Sequence, residues 1–322
     1  MATTSLVIAG LAALGAFGTS LIASKREARA EAAYPPAGRF IEVDGTRIHA
    51  VVAGDGPDLV LIHGAFGSTR DFTFDFMGRL SDRYRVIALD RPGLGWSGRA
   101  DASYARLFAD DAESPVEQAR ILAAAARQLG ADQPIVVGHS FGGIVALAWA
   151  LEHDPAAVVS LAGVAMPWPG ELGWLYTVNG TSVGGALVPP LITALVPEDR
   201  LRNGIESTFA PQPAPDGYAA HIGPMMPVRR GPFRANARQV NTLRPHVVEM
   251  SKRYPTLTLP IEIVHGTADS TVPITVHSGP FSELVASANL VTLDGVGHMP
   301  HHVATDEAIA AIERAAARAG LR

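Results

Sequence analysis

No cysteine occurs anywhere in the 322 residues, which excludes disulfide staples, thiolate metal ligands and a cysteine nucleophile. Charge is sparse and nearly balanced. Lys and Arg number 26 against 31 Asp and Glu, with no long basic run, so a nucleic-acid partner is not expected. Neither an HExxH pattern nor a regularly spaced His/carboxylate cluster occurs, and neither a metal nor a cofactor is expected. Internal repeats and low-complexity tracts are also missing. At this length that leaves one large domain, or one domain with an insert.

What the chain does have, at its start, is an uncharged stretch, "SLVIAGLAALGAFGTSLIAS" (Ser5 to Ser24), followed at once by "KREARAE". Twenty residues rising about 1.5 Å each would span about 30 Å, the thickness of a bilayer's hydrocarbon core. A transmembrane anchor over residues 1–24 is the expectation, and Lys25, Arg26 and Arg29 on its downstream flank would keep the body on the cytoplasmic side. Two other readings stay open. "ARA" before Glu31 could be a signal cleavage site, giving a secreted or periplasmic body, or the stretch could be an apolar N-terminal helix that does not cross. Residues 25–39, ending in "AEAAYPPAGR", read as a linker.

Strand-like alternation in "FIEV" and "TRIHAVVA" flanks Asp44-Gly45, a hairpin signal. Short continuous apolar runs follow: "LVLIH", "RVIAL", "IVVGH", "VVSLAGVA", "IEIVHG" and "NLVTL". Such runs fit strands buried on both faces of a parallel sheet. Helical stretches such as "PVEQARILAAAARQLG" and "GIVALAWALEH" separate several of them, so the body reads as βαβ units in an open α/β sheet. Residues 167–255 break the rhythm. They carry no strand run, and a structureless loop of that length is improbable in a compact domain. The predicted organisation is therefore a core over 40–166 and 256–322, with a helical cap over 167–255 lying on the carboxyl edge of the sheet.

Gly138-His139-Ser140-Phe141-Gly142 fits G-x-S-x-G at a strand-to-helix junction. In this nucleophile elbow the serine sits on a strained turn with its oxygen pointing out of the sheet, and the amide of the next residue, Phe141, can stabilise an oxyanion. A serine needs a base to take its proton, and that base needs a carboxylate to orient it. In the chain order Ser, Asp, His, the partners are Asp269 in "VHGTADSTVP" and His298 in "DGVGHMPHH", each just after a strand run. Glu171 is the rival acid, and His301 and His302 are the rival bases. His63 and His265, each before a glycine at a strand end, read as structural.

"LIHGAFGS", "VIALDRPGLGWS", "VVGHSFGG", "HGTADSTVP" and "GVGHMPHH" together resemble the α/β-hydrolase superfamily, from about Phe40 to the C-terminus. The similarity is to the cap-bearing branch of esterases, haloperoxidase-like enzymes and carbon–carbon bond hydrolases. The resemblance implies a second oxyanion amide at Ala65, with Phe66 as the alternative, and structural roles for Asp90 and Arg91. Serine at 140 argues against the branches whose nucleophile is aspartate, and "HGAF" departs from the "HGGG" of one lipase and esterase group. Phe66, Trp168, Met225 and Met226, with Trp174 and Tyr176, are either pocket lining or cap packing. "VRR" (Val228 to Arg230) reads as a solvated surface pair or a carboxylate site. The expected activity is hydrolysis of small to medium apolar esters through Ser140, His298 and Asp269. Perhydrolysis, carbon–carbon cleavage and a non-catalytic ligand-binding module are the alternatives.

Overall fold

The structure is a computed structural model that describes the backbone from Ala2 to Arg322 and the side chains from Leu14 onward. Eight strands form one sheet: β1 (Arg39–Val43), β2 (Thr46–Ala53), β3 (Asp58–Ile62), β4 (Arg85–Leu89), β5 (Ile135–His139), β6 (Ala157–Leu161), β7 (Ile261–Gly266) and β8 (Ala288–Leu293). Their order is β1-β2-β4-β3-β5-β6-β7-β8. The first two pairings, β1 with β2 and β2 with β4, are antiparallel, and the other five are parallel. Asp44 and Gly45, at φ 50° and 80°, make the tight turn that the hairpin signal called for. Strands β5, β6 and β7 are buried along their whole length, as helices on both faces require.

Helix α1 (Ala2–Ala33) precedes the sheet, and the short α2 (Thr69–Thr73) and α3 (Phe76–Leu80) follow β3. Helix α4 (Pro115–Gln128) starts where the Ser114 hydroxyl accepts from the Glu117 amide, with Pro115 in the first turn. Helix α5 (Phe141–Glu152) is apolar nearly all round because it lies between α4 and the sheet. On the other face α2, α3 and α14 (Thr305–Arg318) enclose a second apolar layer. The insert between β6 and β7 holds α6 (Trp174–Asn179), α7 (Ser182–Leu195), α8 (Glu198–Ser207), α9 (Tyr218–Ile222), α10 (Arg230–Asn241) and α11 (Leu243–Ser251), and no strand among the described residues. Helices α12 (Ser278–Leu284) and α13 (Pro300–Val303) flank β8.

The N-terminal region departs from expectation in two ways. Residues 25–33 are not linker, since α1 runs unbroken through Ala33. The reason is an ion-pair seam: Glu27 binds Arg230 and Glu31 binds Arg229, while Arg26 donates to the Val196 carbonyl and to Met225 Sδ. Arg229 and Arg230 are thus fasteners between α1 and the insert, not a solvated pair. Part of the expected anchor, residues 1–13, lies outside the described side chains. Among the described residues no helix is long and apolar enough to cross a membrane, so the crossing has no support there.

Backbones approach closely around β5 and α5. A Cβ on Gly142 would sit 2.1 Å from the Ile62 carbonyl oxygen, and one on Gly138 would sit 2.2 Å from that of Gly142. Both neighbours are backbone and cannot swing away. Gly142→Ala is therefore expected to cost about 3 kcal/mol or more, whereas Gly231→Ala on α10, with nothing within 4 Å, should stay within about 0.5 kcal/mol. Urea unfolding midpoints of the two variants check this, and an unaffected Gly142→Ala protein would contradict it.

Candidate active site

Strand β5 ends at His139, and the chain turns sharply into α5 through Ser140 at φ 53° and ψ −119°, a conformation that side chains other than glycine seldom take. The strain is held from both sides. Ser140 N–H donates to the Leu161 carbonyl, and the Val164 and Gly143 amides donate to the Ser140 carbonyl. The Phe141 N–H opens α5, where first-turn amides have no intrahelical acceptor. Gly64, at the end of β3, packs so close that a Cβ there would come 2.9 Å from Ser140 Cβ. The Ala65 segment thereby lies beside the serine.

Asp269 and His298 come from the loops after β7 and β8, at the carboxyl edge of the sheet where Ser140 also sits. His298 Nδ1 donates to Asp269 Oδ2 at 2.7 Å. That leaves Nε2 as the imidazole nitrogen free to meet a hydroxyl. The other carboxylate oxygen, Oδ1, accepts the amides of Thr271 and Val272 at 2.8 and 2.9 Å. His265, four residues before Asp269, adds a third kind of support. Its Nε2–H is shared between Asp269 Oδ2 at 3.1 Å and the Val272 carbonyl at 2.7 Å, while Nδ1 faces the Ser278 hydroxyl at 2.6 Å. Burial pushes the Asp269 pKa up, but hydrogen bonds from His265 and His298 outweigh it and hold the carboxyl well below its usual range. The aspartate is a fixed anion.

His139, next to Ser140, links the serine segment to the histidine loop. Its Nε2–H donates to the His298 carbonyl at 3.0 Å, and the two rings lie 5.0 Å apart. Behind His139 the row continues through His301 and His302, with ring separations of 4.4 and 4.2 Å. Both of these imidazoles, and Tyr218 Oη, bond to the buried Asp71 carboxylate. Asp71, His301 and His302 place one donor atom each within 4.8 Å, a set able to hold a metal ion that the sequence did not foretell. The carboxylate is already satisfied by its three donors. These histidines serve the packing behind the elbow, and Asp269 bonds to His298 rather than to either of them. Glu171, the rival acid, is exposed on the insert.

The insert grips both sides of the site. Asn236 on α10 accepts the Phe66 amide at 2.7 Å, so that amide, the alternative oxyanion donor, is already engaged. Gln212 bonds Gly295 and Gly297, just before His298, and Ala210 closes on Gly297 where a Cβ would come within 2.1 Å of its carbonyl. Arg91 is wholly buried, donating to the Gly64 carbonyl and lying 4.1 Å above the Phe141 ring, and burial lowers its pKa to about 9. Asp90 accepts His49 and the amides of Thr69 and Trp96, a structural knot. Phe66, Met225 and Met226 share one cluster with Phe233, Tyr34 and Trp96, with Phe66 and Phe233 rings 5.4 Å apart. Trp168 packs elsewhere, near His277. Trp174 faces solvent. A small cleft of about 30 Å³ touches Phe66 and Met226 but not Ser140, Asp269 or His298.

A profile described as "Alpha/beta hydrolase family" matches residues 59–312, and the chain belongs to that family. An uncharacterized protein of Mycobacterium tuberculosis is 26% identical over 279 residues, covering 83% of this chain and 77% of that one. A solved putative aryl esterase from Burkholderia cenocepacia superposes with a TM-score of 0.69 at 22% identity, over 88% of this chain and 100% of that one. A solved membrane phospholipase A of bacterial origin superposes over 98% of this chain and 99% of its own, with a TM-score of 0.66 at 21% identity. The fold is the α/β-hydrolase fold, and the chain is a hydrolase.

Two buried histidines near the site are neutral by the roles of their nitrogens. The Arg91 amide donates to His63 Nε2, and the Met166 amide donates to His277 Nδ1. Burial lowers both pKa values to about 4. Their unfolded-state pKa is about 6.5, so between pH 6.5 and 4 the unfolded chain binds protons that the folded chain refuses. Stability should be at its full value above about pH 6.5 and fall by about 1.4 kcal/mol per pH unit per histidine below it. Urea midpoints across this range measure the slope, and stability unchanged down to pH 4.5 would contradict it.

Proposed function

We propose that the chain is a serine hydrolase of acyl esters acting through Ser140, His298 and Asp269. Ser140 Oγ attacks the ester carbonyl while His298 Nε2 takes its proton, and Asp269 fixes the imidazole tautomer and balances the imidazolium. The amides of Phe141 and Ala65 receive the oxyanion of the tetrahedral intermediate. Its collapse expels the alcohol, which carries away the proton from His298 and leaves an acyl-serine. Water, deprotonated by His298, then attacks the acyl carbon, and the acid departs as Ser140 recovers its hydrogen.

The observation that carries this reading is the strained Ser140 turn at the same sheet edge as the Asp269–His298 pair, joined to it by the His139 bond to the His298 carbonyl. The Ser140 to His298 proton transfer is the element the proposal adds. Largely apolar esters of small to medium size are the expected substrates, since Phe66, next to Ala65, opens an apolar cluster with Phe233, Met225 and Met226. Structural likeness to a protein described as a putative aryl esterase supports an ester substrate.

A panel of p-nitrophenyl esters graded by acyl length tests the proposal. Ser140→Ala should remove about 10⁶-fold of kcat. Asp269→Asn should cost about 10⁴-fold, by analogy with another triad, with the protein still folded. Hydrolysis that survives in Ser140→Ala would overturn the assignment.

A further inference from the structure

Helix α7 inverts the usual arrangement of an amphipathic surface helix. Its inward side is made of small residues, with Gly185, Ala186, Pro189 and Ala194 buried. Its outward side carries the large ones: Val183, Leu187, Leu191 and Leu195, spaced four apart, are 59, 61, 46 and 62% exposed. Residues so spaced lie on one face. No charged residue occurs from Thr177 to Pro197 to interrupt it. A helix apolar on both sides is anomalous at the surface of a folded body, and contiguous exposed apolar surface marks an interaction site.

Three observations identify what covers this face. Helix α1 packs along α7 and exposes Leu14, Phe17 and Leu21, so the apolar surface is continuous over both helices and joins the uncharged Ser5–Ser24 stretch. Trp174 on the adjoining α6 is 66% exposed, an amphipathic ring of the kind that favours the headgroup level of a bilayer. On α1 the unpaired charge beside the patch is positive. Glu27 and Glu31 of α1 are spent on Arg230 and Arg229, whereas Lys25 and Arg29 are exposed at the end of the apolar stretch. Exposed cations next to an apolar face complement anionic headgroups.

We propose that the outward face of α7, together with the exposed side of α1, lies in the interfacial layer of a lipid bilayer containing anionic lipid, holding the cap against the membrane surface. The helices rest in the plane of the interface, and the proposal requires no crossing segment. It is independent of the catalytic assignment.

The absence of cysteine makes the test direct. In the full-length protein, Leu187→Cys creates a single thiol on an exposed position, which is labelled with an environment-sensitive fluorophore; Arg127→Cys on α4 serves as the control. Vesicles of phosphatidylcholine and phosphatidylglycerol should shift the emission of the probe at 187 to the blue, and a nitroxide lipid in the same vesicles should quench it, with neither effect at 127. Replacing Leu187 and Leu191 together by Asp should lower vesicle partitioning about tenfold or more at unchanged thermal midpoint. An emission spectrum at 187 indifferent to vesicles overturns the proposal, as does unchanged partitioning of the Asp variant. A blue shift without vesicles that grows with protein concentration also overturns it, assigning the face to a second copy of the chain.

Discussion

The close approach of backbones at the end of β5 is the constraint on which the site rests. Gly138 and Gly142 let β5, α5 and the end of β3 meet where no side chain could be inserted, and that crowding forces Ser140 into a conformation its own side chain disfavours. Three hydrogen bonds, to Leu161 at the end of β6, from Val164 just beyond it and from Gly143 in the first turn of α5, keep it there. The same compression leaves the Phe141 amide at a helix start and brings Gly64 and Ala65 alongside. The proposed nucleophile and the proposed oxyanion donors are therefore products of one packing event.

A second constraint is electrostatic. Asp269 is buried among donors: two backbone amides on one oxygen and two imidazoles on the other. A carboxylate supplied in this way stays ionised, so His298 is held in the tautomer with Nδ1–H toward the acid and Nε2 outward. The insert adds rigidity on each flank, through Asn236 at the Phe66 amide and Gln212 at the glycine turn before His298. Arg91 braces the remaining side, bonded to Gly64 and stacked on Phe141. The site is thus clamped between core and cap.

Much of this is legible in the chain itself. Continuous apolar runs mark the parallel strands because both faces of the sheet are covered, and Asp44-Gly45 marks the hairpin because its turn needs positive φ. The G-x-S-x-G pattern marks the elbow at a strand-to-helix junction, and the resemblance to the family supplies the order in which the candidate acid and base, each just after a strand run, are sought. The attachments of the insert are not legible. Asn236, Gln212 and Tyr218 act through one or two hydrogen bonds each to residues far off in sequence, and nothing periodic betrays such a bond. The extent of α1 is hidden for a related reason. "KREARAE" has the composition of a solvated flank, but Glu27 and Glu31, four residues apart and so on one helix face, find arginines in the insert. Those arginines have the look of a surface pair for the same reason. His265 is structural, as its place before a glycine at a strand end suggests, and its contact with Asp269 makes it part of the support for the acid.

Everything catalytic depends on Ser140 being a nucleophile made reactive by its surroundings. Incubation of the intact protein with a fluorophosphonate, followed by whole-protein and peptide mass measurement, examines that property without presupposing a substrate. A single adduct on Ser140 that fails to form in His298→Ala is the predicted result. A well-folded protein that takes no adduct, or takes it at another residue, would contradict the assignment and favour a fold that binds without turning over.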